Sequence, residues 1–222
     1  MSERNRVTPV GDIVDVPLRG AWMGNRGVLH EGHEIVRQHA SAAWITCALE
    51  FRGWVAPRWE PRRWTALFFH DEAVALAAGH RPCALCRRGD YTAYLRALGA
   101  ATDAEPLRAP ELDRRLHAER LVPRRARSAA AHGPARRTHR IPWVGLPSGV
   151  FVIASGGPVL VLGDALVAWT TEGYGARSGR PTRGDAEVLT PPTSVVAIAH
   201  GYLPQIDTVQ IDTVAAPEVL AP

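Results

Sequence analysis

The chain has 222 residues, 46% hydrophobic and 22% charged, which corresponds to one or two domains at roughly 150 residues each and excludes a disordered chain. No apolar run approaches the roughly 20 residues of a membrane span, and three cysteines are too few for a secreted disulfide framework. All 26 basic residues are Arg, and residues 1–143 hold 23 of them against 15 acids, whereas residues 144–222 hold 3 against 7.

The net charges of the two parts are therefore +8 and −4. A basic portion suits an anionic partner, DNA or RNA first. No membrane partner is expected, and the oligomeric state is left open. The opening Met1-Ser2-Glu3-Arg4-Asn5-Arg6 is followed by no apolar signal core, so the expected compartment is the cytoplasm.

In chain order, residues 1–29 read as an extended arm with short strands and a turn at Asn25-Arg26-Gly27. Residues 43–51 alternate like a strand, and Arg52-Gly53 turns them into a hairpin with Trp54-Val55-Ala56. Residues 64–69 form a third strand. Asp71 caps a short helix from Glu72 to Ala78, which Gly79 ends in the left-handed conformation. A helix from about Leu85 to Leu98 follows, then a loop, then a helix from Glu111 to Leu121 opened by Pro110. Residues 122–140 are polar, Arg-rich and loop-like. Three strands follow, over 149–154, 159–162 and 165–169, joined as a meander. Residues 174–185 read as a Gly/Arg/Pro loop, a last helix ends at His200 and Gly201, and the tail after Pro204 is expected to be loosely held.

The expected fold class is α+β. A mixed N-terminal part built on a zinc knuckle (1–121) is followed by a basic loop (122–142). A small antiparallel β-meander with a C-terminal helix (143–222) packs on the first part.

Pro82-Cys83-Ala84-Leu85-Cys86 is the most specific feature. A C-x-x-C pair lets two thiolates reach one metal from a tight turn, and zinc suits such ligands. Cys47 is the third candidate ligand. His30, His33, His117 and His139 are candidates for the fourth position, which can also stay open for water.

The run Leu67-Phe68-Phe69, then Glu72 through Gly79-His80-Arg81-Pro82-Cys83-Ala84-Leu85-Cys86-Arg87-Arg88, resembles the second half of the metal-binding domain of bacterial Ada DNA-repair proteins. The resemblance covers about residues 64–88. It rests on an aromatic strand, a short Ala-rich helix and G-[FYH]-R-P-C-x-x-C-R. It implies zinc on Cys83 and Cys86 and a link to DNA damage, because in that family one of four zinc-bound cysteines accepts a methyl group from a DNA phosphotriester. Trp44-Ile45-Thr46-Cys47 is similar to the strand that ends in the family's reactive cysteine. The family's next cysteine, four residues on, is Phe51 here. The whole chain also looks like bacterial proteins of unknown activity that share L-F-F-x-D-E-x-x-A-L-A-A-G-H-R-P-C, which implies no function.

A second constellation lies on the helix around residues 111–121. Asp113 and His117 are four apart and share a face, so the carboxylate can orient the imidazole. His117-Ala118-Glu119 joined to the cysteine pair resembles, in reversed order, the zinc nucleobase deaminases, in which His and Cys hold zinc and Glu shuttles protons. His117 and Glu119 are thus candidate catalytic residues, and His117 a candidate ligand. Arg81, Arg87, Arg88, Arg136 and Arg137 are candidates for phosphate contacts beside the metal. Three functional readings follow: a zinc protein that binds nucleic acid, with a DNA-damage role; a zinc hydrolase or deaminase; and a structural-zinc interaction module without catalysis.

Overall fold

The computed structural model describes residues 3–102, 107–122 and 136–215. Its strands, in chain order, begin with β1 (Arg4–Val7), β2 (Ile13–Asp15), β3 (Trp22–Asn25), β4 (His30–Glu31), β5 (Glu34–Ile35) and β6 (Ile45–Cys47). They continue with β7 (Glu50–Phe51), β8 (Trp54–Val55), β9 (Leu67–Phe69) and β10 (Arg81–Pro82). The second half holds β11 (His139–Pro142), β12 (Phe151–Ala154), β13 (Gly157–Leu162), β14 (Ala165–Thr170), β15 (Gly173–Gly179) and β16 (Asp185–Val188). The helices are α1 (Glu72–Ala77), α2 (Arg88–Thr102), α3 (Ala109–Arg120), α4 (Pro192–Ala199) and α5 (Thr208–Ala215). The class is α+β, with a meander β12–β15 and a C-terminal helix.

Two six-stranded sheets dominate. The first, ordered β10-β6-β3-β9-β1-β2, is mixed: β10 runs parallel to β6 and β1 parallel to β9, while the other pairs are antiparallel. The second, ordered β11-β16-β12-β13-β14-β15, is antiparallel throughout. Its central strands are buried on both faces. Val152 and Val161 pack with Tyr94, Leu112 and Leu116 from α2 and α3, while their neighbours Phe151 and Leu160 pack with Phe69 and the residues of α1. Side chains alternate across a strand, so a strand covered twice must be apolar at successive positions, as Gly149 to Ala154 is.

α1 lies between the layers with all six residues buried. Beyond Glu72 at its start this short helix is apolar all round, so it has no face to offer water and belongs inside. Asp71 caps it, accepting the Val74 N–H at 2.9 Å. The same carboxylate accepts from the Tyr174 hydroxyl at 2.7 Å and the Asp207 N–H at 3.1 Å, which ties α1 to β15 and to the entry of α5. Gly79 ends the helix at φ +86°, and a Cβ there would lie 2.6 Å from Cδ of Arg120. Both the dihedral and the close approach require glycine. Leu76, fully buried on this helix, packs in the cluster of Tyr94 and Val161. Leu76→Ala should cost about 2–5 kcal/mol of unfolding free energy in urea titrations, and a loss under about 1 kcal/mol would contradict this packing.

Five expectations differ from the structure. Residues 43–51, expected as one strand of a hairpin, split into β6, which joins the first sheet, and β7, which pairs with β8. Residues 139–142, expected within the basic loop, form β11, because they pair with β16 at the edge of the second sheet. The helix after the cysteine pair starts at Arg88 rather than Leu85, because residues 84–87 form the turn that brings the two sulfurs together. Residues 174–185, expected as a loop, supply most of β15 and open β16. β15 is an edge strand whose outer half is exposed, so it lacks the apolar alternation that marks a strand. The chain beyond Pro204 forms α5, held by Gln210, whose Oε1 accepts from the Tyr174 N–H and whose Nε2 donates to the Glu172 carbonyl. The basic run Arg124, Arg125 and Arg127 lies outside the described residues.

Candidate metal centre

β6 and β10 are short parallel neighbours, with Arg81 beside Ile45 and Pro82 beside Thr46. Cys47 closes the first strand and Cys83 follows the second, so the register sets the two thiols side by side. The Cys83 N–H donates to the Thr46 carbonyl at 2.9 Å, which fixes the start of the turn. The turn Cys83-Ala84-Leu85-Cys86 then curls back over the strand ends. The ligand atoms of Cys47, Cys83 and Cys86 all lie within 4.8 Å of one another.

Backbone amides face the sulfurs. The Leu85 N–H donates to Cys83 Sγ at 3.4 Å, the Cys86 N–H also reaches that sulfur, and the Ala48 N–H reaches Cys86 Sγ. Amide donors favour thiolate over thiol. The Cys83 thiol, hydrogen-bonded first of all to Cys47 and then to these amides, is brought down to about 5. The Cys47 thiol is pushed up, first by that same hydrogen bond and then by burial, and burial also raises Cys86. In the absence of metal the cluster thus carries one thiolate and two thiols near neutral pH.

Three soft donors within bonding range of a common centre suit a thiophilic ion. At a Zn–S distance of about 2.3 Å, tetrahedral sulfurs stand about 3.7 Å apart, a spacing inside the 4.8 Å within which the three ligand atoms lie. Among the described residues no His, Asp or Glu joins the three cysteines. The cluster borders a cavity of about 260 Å³ walled by Met23, Phe51, Trp54, Trp64 and Leu85. A fourth coordination position facing this cavity would be open to an outside ligand.

The cavity's rim is unusual in being apolar and exposed. Trp54 is 47% exposed and Leu85 71%. Trp54 sits on the β7–β8 hairpin, whose turn residues Arg52 and Gly53 both have positive φ, the dihedrals of a type I′ turn. Arg52, Arg58, Arg62, Arg63 and Arg88 are exposed on the same segments.

The other sequence candidates lie elsewhere. His117 is not in the cysteine cluster; its Nδ1 accepts from Arg120 Nη2 at 2.9 Å, and its ring lies 5.2 Å from that of His39 and 6.3 Å from Trp44. Asp113 is not behind His117 but bound to Arg81, accepting Nε and Nη2 at 2.8 and 2.9 Å. Glu119 faces α4, accepting the Thr193 N–H at 3.0 Å and its hydroxyl at 2.6 Å, as a cap does. The angle of about 200° between positions two apart on a helix sends His117 and Glu119 to opposite sides, so α3 does not aim both at one atom. His30 is spent on Thr65 and the Glu60 carbonyl, and His33 stacks on Trp59. His139 is on β11, away from the cluster.

Among the arginines, Arg81 is buried on Asp113, and Arg87 is buried on Glu72 and bridges to Asp90. Arg136 donates to the carbonyls of Ala77 and Ala78. Arg88 and Arg137 are exposed, although Arg137 Nε also donates to the Leu121 carbonyl. Sequence reasoning did not anticipate Trp54, Trp64, Phe51 and Leu85 as the cavity wall. The exposed Trp on a two-residue hairpin was the available signal. No family model matches the chain, and no curated protein or solved structure matches it.

Proposed function

We propose that the chain is a zinc protein that binds nucleic acid at the face where the three-cysteine centre opens, with Cys47, Cys83 and Cys86 as the protein ligands. The observation that carries this reading is the pairing of a three-thiol cluster with an aromatic cavity, on chain segments that also carry the exposed Arg52, Arg62 and Arg88. When bound there, zinc supplies a Lewis-acidic, thiolate-rich centre with a fourth position free for exchange. The amides of Leu85, Cys86 and Ala48 hold charge on the sulfurs, and Trp54 and Trp64 offer flat faces on which an unstacked base can lie. The arginines around the hairpin meet the phosphates. A role in DNA damage rests on the resemblance of Arg81-Pro82-Cys83-Ala84-Leu85-Cys86-Arg87 to the Ada metal-binding motif.

The test is fluorescence anisotropy with a labelled single-stranded oligonucleotide and zinc-loaded protein. Affinity should fall steeply with salt, as counterion release requires. Loss of one stacked base costs about 1–3 kcal/mol, so Trp54→Ala should weaken binding by roughly tenfold to a hundredfold. Absent binding, or an unchanged affinity in Trp54→Ala, would reduce the centre to a structural metal site.

A further inference from the structure

The strand pair that ends in the cysteines begins at a second polar cluster. Trp44 precedes β6 and His80 precedes β10, and both side chains are buried. The guanidinium carbons of Arg26 and Arg120 lie 4.0 and 3.9 Å from the Trp44 ring centroid. Arg136 enters from beyond α3 against the end of α1.

These three cations are held by neutral acceptors. Arg26 donates to the Gly11 carbonyl at 2.9 Å and to His80 Nε2 at 3.3 Å. Arg120 donates to the carbonyls of Gly79 and Ala42 at 2.7 and 2.6 Å, and Arg136 to those of Ala77 and Ala78. The α1 carbonyls carry only the partial negative charge of a helix C-terminus. Among the described residues none of the three arginines forms an ion pair with a carboxylate. Asp12 is the acid that acts on Arg26 and Arg136, and Asp113, the acid near Arg120, is already bound to Arg81.

Three N–H groups of the cluster, Arg26 Nη2, Arg120 Nε and Arg136 Nε, are buried without an acceptor. Buried donors and buried charges are ordinarily paired, so three unpaired guanidinium donors in one cationic cluster suit an anion. Burial pulls all three guanidiniums below their ordinary range, and neighbouring arginines add to this at Arg26 and Arg120, yet arginine does not lose its proton in proteins. A bound anion would relieve that repulsion. His39 and His117, half-buried and 5.2 Å apart, cover the cluster on its solvent side. Arginine can only donate, so Nδ1 of His117 is an acceptor and its ring proton sits on Nε2, available to an oxyanion.

We propose that Arg26, Arg120 and Arg136, entered past His39 and His117, form a binding site for a phosphate group, separate from the cysteine centre. Guanidinium groups match phosphate oxygens in bidentate geometry, and a phosphate would take up the unpaired donors. The group belongs either to a nucleic-acid backbone or to a free phosphate compound.

Isothermal titration of metal-loaded full-length protein with inorganic phosphate tests this. One saturable site is expected, with a rise in melting temperature that chloride at equal ionic strength does not give. His39→Asp places a carboxylate at the entrance. It should weaken phosphate binding at least tenfold, on the order of the cost of one like charge, while raising the melting temperature of the phosphate-free protein. Trp54→Ala, at the cysteine cavity, should leave phosphate affinity unchanged, which separates failure of this site from failure of the metal-centre reading. Competition between phosphate and a single-stranded oligonucleotide assigns the site to a nucleic-acid backbone, and its absence to a free phosphate compound. No saturable phosphate binding, or equal affinity in His39→Asp, overturns the proposal.

Discussion

Cys83→Ser should lose its bound metal, and the loss should be visible both in elemental analysis and in the melting temperature. Zinc bound by structural sites contributes about 10–16 kcal/mol in small peptide domains, where folding depends on it outright. Here two sheets and five helices bury a large core away from the cysteines, so Cys83→Ser should remain folded at room temperature. Its effect should appear as local loosening of residues 83–87 and a lowered melting temperature that added metal no longer restores. The protonation of the cluster adds a second readout. Cys83 is ionised near neutral pH, at about 5, while Cys47 and Cys86 are pushed up and hold their protons. Metal uptake needs thiolates, so binding should release about two protons at pH 7. Metal affinity should therefore fall as pH falls, by on the order of a hundredfold per unit while two protons are displaced. Competition with a chromophoric chelator between pH 6 and 8 measures this, and a pH-independent affinity would mean that the three thiols do not act together.

The cysteine centre was largely legible because its parts are local or nearly so. Cys83 and Cys86 share one turn, and Cys47 lies within the run 43–51, whose alternation reads as a strand, and in the structure it closes β6. The cap at Asp71 and the stop at Gly79 were legible for the same reason, since capping is written within a few residues. What could not be read is how charges pair over long separations. Arg81 and Arg87 look like members of a basic patch in the sequence, yet each meets a carboxylate 32 or 15 residues away and disappears inside. The reverse happens at Arg26, Arg120 and Arg136, which lie far apart in sequence and collect around Trp44 and the end of α1 with no ion-paired acid among the described residues. Net charge per segment says nothing about either event, because it does not distinguish a solvated arginine from a buried one. The His117 and Glu119 pair shows the same limit on a smaller scale. Spacing defines which helix face each occupies, but only the packing of α3 shows that one face meets Arg120 and the other caps α4.

Glu72→Ala should be among the most destabilising single substitutions in the chain, although the residue touches no cysteine. Its side chain is 1% exposed. One carboxylate oxygen accepts from Arg87 Nη2 at 2.7 Å and from the Tyr202 hydroxyl, and the other accepts the Gln205 N–H at 3.0 Å. Glu72 thereby joins α1 to the segment after α4 and to the turn that carries the cysteines, since Arg87 directly follows Cys86. Arg87 also packs its guanidinium 3.8 Å from the Trp22 ring centroid, so it is enclosed on both sides. Removing the carboxylate leaves a buried cation whose remaining partner is the half-exposed Asp90. Breaking one side of a buried pair costs about 3–5 kcal/mol, mostly because the stranded charge stays in the interior. At roughly 2–4 °C per kcal/mol for a domain of this size, the melting temperature should drop by about 6–20 °C. The double variant Glu72→Leu with Arg87→Met removes both charges and should be milder than Glu72→Ala alone, because no ion is left unpaired. Differential scanning calorimetry of the three proteins decides the matter. If the double variant is at least as unstable as Glu72→Ala, then the hydrogen bonds to Tyr202 and Gln205, and not the stranded guanidinium, set the cost.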